Sequence, residues 1–115
     1  MQVFQEVAVL FESSEDGESL RIDCAMTREG GLQIMRVSEG PLTQWCFEES
    51  PHPVTTLVDP AGTSSLMEFV QADLSPQLPA VLASEFTGVE ADADIRAFLR
   101  RLNIGYEVKE PPIVR

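Results

Sequence analysis

The chain has 115 residues, 43% of them hydrophobic, and its 19 acidic side chains outnumber 8 basic ones to give a net charge of -11. That length supports one core and excludes two domains. The acidity, with a pI near 4.3, excludes unassisted binding to DNA, RNA or an anionic bilayer, because such binding draws its free energy from Lys and Arg neutralising phosphates.

The opening MQVFQEVAVLFESS lacks a basic leading stretch, and Gln5 and Glu6 interrupt its apolar run. It reads as neither signal peptide nor membrane span, so a cytoplasmic location is expected. Val7, Val9 and Phe11 alternate with partners that suit the first strand. Asp16-Gly17 then supplies a turn, and Leu20, Ile22, Cys24 and Met26 give the clearest period-2 pattern in the chain. Gly30-Gly31 predicts a second hairpin turn before a third strand over Leu32 to Val37. Gly40-Pro41 ends that strand. Thr43 to Glu48 is expected as a fourth strand with Trp45 and Phe47 on one face, and Val54 to Val58 as a β-branched fifth.

Helical spacing takes over after Asp59-Pro60. Ser65 and Glu68 are spaced as a capping box for a helix starting nearby, and Ser75-Pro76 marks another start ahead of Leu78, Val81, Leu82 and Phe86. Ile95, Phe98, Leu99 and Leu102 then form an i, i+3, i+4, i+7 stripe, with Asp92 and Asp94 at its beginning and Arg96, Arg100 and Arg101 on the expected outward face. Tyr106 to Val108 predicts an edge strand. The fold class expected is α+β, a single domain over 1–115: a four- to five-stranded antiparallel meander (1–58), two or three C-terminal helices packed on one face (63–103) and a loose tail (109–115).

Chemically informative constellations are few. Cys24 and Cys46 lie in apolar strand-like runs without CxxC spacing and read as a buried, free thiol pair. His52, the only histidine, falls between Pro51 and Pro53 in an expected turn, where nothing would orient it as a general base. Adjacent Glu48 and Glu49 on a strand would point to opposite faces and could not share an ion or proton. The acidic cluster Glu12, Glu15, Asp16, Glu18 lacks the ligand order of a calcium loop. Neither a metal, a cofactor nor catalytic residues are therefore expected. Trp45, the sole tryptophan, reads first as a packing residue and second as an exposed anchor.

Charge is distributed unevenly. Between Arg36 and Arg96 there is no Lys or Arg, while ten carboxylates fall in that interval. A one-signed surface of this kind attracts basic partners. The residues proposed to meet such a partner are Glu15, Asp16 and Glu18 in the first hairpin, Glu39, Glu48 and Glu49 around the expected fourth strand, and Trp45 as an aromatic anchor. The order of elements, the acidity, the small size and the helix DIRAFLRRL running into NIGYEV together resemble immunity proteins of bacterial polymorphic toxin systems, including those of contact-dependent growth inhibition. The resemblance implies a non-enzymatic cytoplasmic inhibitor that occludes the active site of a cognate basic toxin, often a nuclease. The competing expectations are a small ligand-binding protein or enzyme with a pocket between sheet and helices, and an acidic accessory subunit acting as a homodimer; monomer and homodimer both remain open.

Overall fold

The computed structural model describes residues 7–70 and 77–111. The first six residues, the Ser75-Pro76 helix start and the tail from Pro112 lie outside them. Strands β1 (Val7–Glu15), β2 (Glu18–Met26) and β3 (Leu32–Glu39) are followed by helix α1 (Pro41–Phe47), β4 (His52–Val58), helices α2 (Pro60–Val70), α3 (Gln77–Glu85) and α4 (Ala91–Arg101), and the short β5 (Glu107–Lys109). The five strands form one antiparallel sheet in the order β1-β2-β3-β4-β5.

Turn chemistry sets the register. Asp16 and Gly17 both have positive φ, 55° and 79°, which is what a two-residue hairpin needs to match the twist of its strands. Glu15 consequently pairs with Glu18, and the pairing continues to Val7 opposite Ala25 with one irregularity between Val9 and Phe11. At the next turn Thr27 closes on Gly31 through its backbone, 2.9 Å, and its hydroxyl accepts the Gly31 N–H at 2.9 Å.

Residues paired directly across an antiparallel sheet share a face. One face therefore carries Leu20, Ile22, Cys24 and Met26 of β2 opposite Ser38, Arg36, Ile34 and Leu32 of β3, with His52, Val54, Thr56 and Val58 of β4 beyond them. That face has a gradient. At the Met26, Leu32, Val58 end it is apolar and buried, and there Leu66 of α2, Leu78 and Leu82 of α3, and Ile95 and Leu99 of α4 complete the core. At the Leu20, Ser38, His52 end it is polar, and there it is α1 that packs on β2 and β3.

The C-terminal helices follow the predicted stripes, with two differences. Helix α2 begins at Pro60, because the Asp59 carboxylate accepts the Gly62 N–H at 2.7 Å and proline suits the first helical position. Ser65, expected as a cap, lies inside the helix and donates to the Ala61 carbonyl at 3.3 Å. Arg96 also departs from the outward face assigned to it: its guanidinium reaches back to the sheet, 3.0 Å from the buried Thr56 hydroxyl.

The larger correction concerns Thr43 to Glu48, which is not strand: Thr43 to Phe47 are helical and Glu48 is the left-handed cap that ends the helix. Two features override its β-forming side chains. Pro41 stands at the first helical position after Gly40, and the Glu18 carboxylate, contributed by β2, accepts the Leu42 and Thr43 backbone N–H groups at 2.9 and 3.1 Å as well as the Thr43 hydroxyl. A cap supplied from a distant strand leaves no local trace in sequence. Gly40 permits that approach: its φ is 140°, and a Cβ there would fall 2.6 Å from the Gly17 carbonyl oxygen. The fifth strand is thus β5, near the predicted Tyr106 to Val108, and His52–Val58 becomes the fourth.

Candidate functional site

The β1–β2 hairpin, the end of β3, α1 and the start of β4 all meet at the polar end of the sheet. The helical conformation redistributes the side chains of α1 around its axis. Thr43 and Phe47, four apart, turn toward the sheet; Trp45 turns away, and Leu42 and Cys46 lie exposed at the helix flanks, each also bordering the cavity beneath. Trp45 is 81% exposed and Leu42 60%, so the tryptophan expected first as a packing residue is instead the most exposed large apolar group among the described residues. Trp45 and Phe47 do not share a face, as they would on a strand.

The cysteines separate for the same reason. Cys24 is buried, with its thiol 3.7 Å from the Pro79 carbonyl, whereas Cys46 is exposed and is not a core residue. Burial, reinforced by neighbouring Asp23, pushes the Cys24 thiol up to about 12. Because the thiolate is the reacting form, a thiol reagent under native conditions at neutral pH should modify one cysteine promptly, Cys46, and the second only on unfolding. Peptide mapping after timed labelling checks this, and prompt labelling of Cys24 would contradict it.

Around α1 lie five of the six acidic residues expected to act with Trp45, all but Glu39. Glu15, Asp16 and Glu18 wall a groove between the hairpin and Pro41-Leu42. Glu39 pairs with Ser19 at the end of β3 and so lies on the opposite face of the sheet, beside Arg21 and Val37, while Glu48 caps α1 with φ 59°. The proposed residues therefore converge on one end of the molecule, but they divide in role. Glu15, Asp16, Glu39 and Glu48 are exposed and form no ion pair among the described residues. Glu18 is committed to the α1 N-terminus, and Glu49 to His52.

His52 is not in a turn. It opens β4, is 3% exposed, and is gripped on both ring nitrogens: Nδ1 lies 2.8 Å from the Glu49 carboxylate and Nε2 2.7 Å from that of Glu110. Phe47 stacks flat on the ring at a centroid distance of 3.9 Å. Burial opposes the charged ring, but the hydrogen bonds to Glu110 and Glu49 outweigh it and raise the pKa above the ordinary histidine value. The two carboxylates occupy opposite nitrogens and so cannot converge on one ion. Among the described residues no group of three His, Cys, Asp or Glu side chains is placed to hold a metal. Sequence reasoning missed this clasp because Glu110 is 58 residues away, in what reads as a tail; Glu110 is instead fixed through His52, directly after β5.

Between α1 and the sheet is a cavity of about 340 Å³, with Leu20, Leu42, Phe47 and Val54 as its apolar walls and Arg36 and His52 among its polar ones. Arg36 extends from β3 to α4, donating to the Val89 carbonyl at 2.6 Å and to Asp92 at 3.2 Å. Among the described residues no helix is long and apolar enough to cross a membrane. Comparison of the chain with protein-family models, with curated proteins and with solved structures gave no match.

Proposed function

We propose that the chain is an acidic protein-binding module that docks a basic partner through α1 and the carboxylates around it, acting in the cytoplasm as an inhibitor of a cognate toxin domain. The observation that carries this reading is Trp45, 81% exposed on a short helix beside Leu42, with Glu48 at the end of that helix and Glu15 and Asp16 across the groove that Leu42 lines. Apolar groups exposed to this degree cost solubility unless a partner covers them. An aromatic anchor within a charged rim is the usual composition of a binding hot spot. Carboxylates of one sign steer a cationic surface into contact and can stand in for the phosphates that a nuclease groove would hold.

The small-ligand reading draws on the cavity under α1, whose volume lies at the low end for ligand pockets. Against it, the charged groups Glu18, Arg36 and His52 are already engaged within the protein. His52 in particular leaves no ring nitrogen for a substrate proton.

The test is capture of a basic protein from the source cells on immobilised wild-type chain, followed by titration of the purified partner's toxic activity, which should fall to zero at one equivalent. Replacing Glu15, Asp16, Glu39 and Glu48 by Lys should slow association at least tenfold and flatten its dependence on ionic strength, since rim charges act mainly on encounter. Glu18 and Glu49 are excluded because they support the fold. Association that is independent of salt and unaltered by all four replacements sinks the proposal, as does failure to capture any basic protein.

A further inference from the structure

The imidazole of His52 ties together three segments remote in sequence: the end of α1 through Phe47, the loop after it through Glu49, and the chain following β5 through Glu110. A neutral imidazole has one N–H and one lone pair. Facing two ionised carboxylates at 2.8 and 2.7 Å, it could satisfy only one, and its lone pair would meet the other carboxylate as acceptor against acceptor. The imidazolium, with two N–H groups, satisfies both.

We infer that His52 is a proton-dependent clasp which, when charged, fastens the end of α1 and the post-β5 segment to the sheet, and which regulates the α1 docking surface by releasing one carboxylate when the ring becomes neutral. The regulatory half rests on the docking function proposed for α1; the clasp itself does not.

The rest of the surroundings do not replace either bond. From β3, Ser38 is the register partner of His52 and Arg36 stands two residues along the same face; from β2, Glu18 shares the cavity but is held by the α1 backbone; from α1 come the Cys46 thiol and the Phe47 ring. Lys109 and Glu107 of β5 are exposed. Of the two carboxylates, Glu110 is the one expected to leave. Among the described residues its other attachment is β5, three exposed residues paired with Thr55, Thr56 and Leu57, and so short an edge strand opens readily.

The direction follows from the raised folded-state value. The stabilisation is complete below the unfolded histidine value, near 6.5, and is lost as pH rises through the folded one. The clasp is therefore closed below about pH 6.5 and opens as pH rises through the higher folded-state midpoint.

The test is NMR on the full chain, in which the single histidine makes the assignment unambiguous. The His52 ring shifts should titrate with a midpoint above that of a free imidazole. Across that midpoint, amide protection at Glu107–Lys109 and at Glu48, whose N–H bonds the Gln44 carbonyl, should fall by about tenfold after correction for intrinsic exchange. E110Q should lower the midpoint and abolish the step at β5 while leaving protection in β2 and β3 unchanged. H52Q should remove the pH step altogether, and if it folds poorly E110Q still decides. A midpoint at or below the free value, or protection independent of pH through the titration, overturns the clasp. A pH step at Glu107–Lys109 with none at Glu48 confines the effect to β5 and overturns the regulatory half. None of these readouts uses a partner, so they stand apart from failure of the docking experiment.

Discussion

Replacing Asp92 by Ala is expected to lower the free energy of unfolding by about 3 kcal/mol. Asp92 is 3% exposed and receives Arg36 from β3 at 3.2 Å on one oxygen and Arg96 from its own helix at 3.4 Å on the other. Its removal leaves two guanidinium groups facing each other across the contact between sheet and helix, with side chains 30% and 20% exposed. Breaking a buried ion pair costs about 3–5 kcal/mol, mostly because a charge is left without its counterpart. The low end applies here, since both arginines are partly solvated and keep one hydrogen bond each, to the Val89 carbonyl and the Thr56 hydroxyl. Urea denaturation checks this: with a slope of about 1.5 kcal/mol per molar, the midpoint should drop by roughly 2 M. Asp92→Asn, which keeps an acceptor, should fall between the two. A loss below about 1 kcal/mol for the alanine variant would show that solvent already supports both arginines and that α4 is held by its apolar stripe alone.

The same triad shows what the sequence could and could not convey. The stripe of Ile95, Phe98, Leu99 and Leu102 is local and was legible, as were the alternating residues of β2 and the Asp16-Gly17 turn, because each depends on neighbours within a few positions. The antiparallel sheet with helices gathered on one face follows from those signals. What sequence concealed were contacts over long separations: Arg36 with Asp92, Glu18 with the start of α1, His52 with Glu110. Each changes the reading of a segment. Without the Glu18 cap, Thr43 to Glu48 looks like a strand, since Thr, Trp and Phe favour extended structure; with it, one turn of helix is fixed and every side chain in the segment is reassigned. Trp45 and Cys46 move to the surface by that single change, and Arg96 turns inward because a buried carboxylate one helical turn earlier needs a second cation. Charge alone carries no sign of where an acidic residue sits; Glu15, Asp16 and Glu48 come to one end of the sheet through the tight hairpin and the packing of α1 on β2 and β3.

Substituting Trp45 by Ala should weaken binding of the captured partner by about 2–4 kcal/mol, a loss of roughly 30- to 1,000-fold in affinity, while leaving the stability of the isolated chain within about 0.5 kcal/mol. The two halves of this expectation come from one number: a ring 81% exposed contributes almost nothing to the fold and is fully available to bury in a complex. Burial of an indole removes the largest apolar surface of any side chain from water, and its two torsion angles cost little entropy to fix. The loss should appear in the dissociation rate, because an anchor acts after encounter, whereas lysine replacements at Glu15, Asp16, Glu39 and Glu48 should appear in the association rate. Surface plasmon resonance on both sets of variants separates the two, with urea denaturation of the free proteins as control. Leu42→Ala, three residues earlier on the same face of α1, should follow Trp45→Ala in kind with a smaller effect. If Trp45→Ala binds as wild type while the lysine variants do not, the partner meets the acidic rim alone and α1 is not its anchor. If Trp45→Ala destabilises the free chain by more than 1 kcal/mol, the ring packs in solution and its exposure is not the mark of a docking surface.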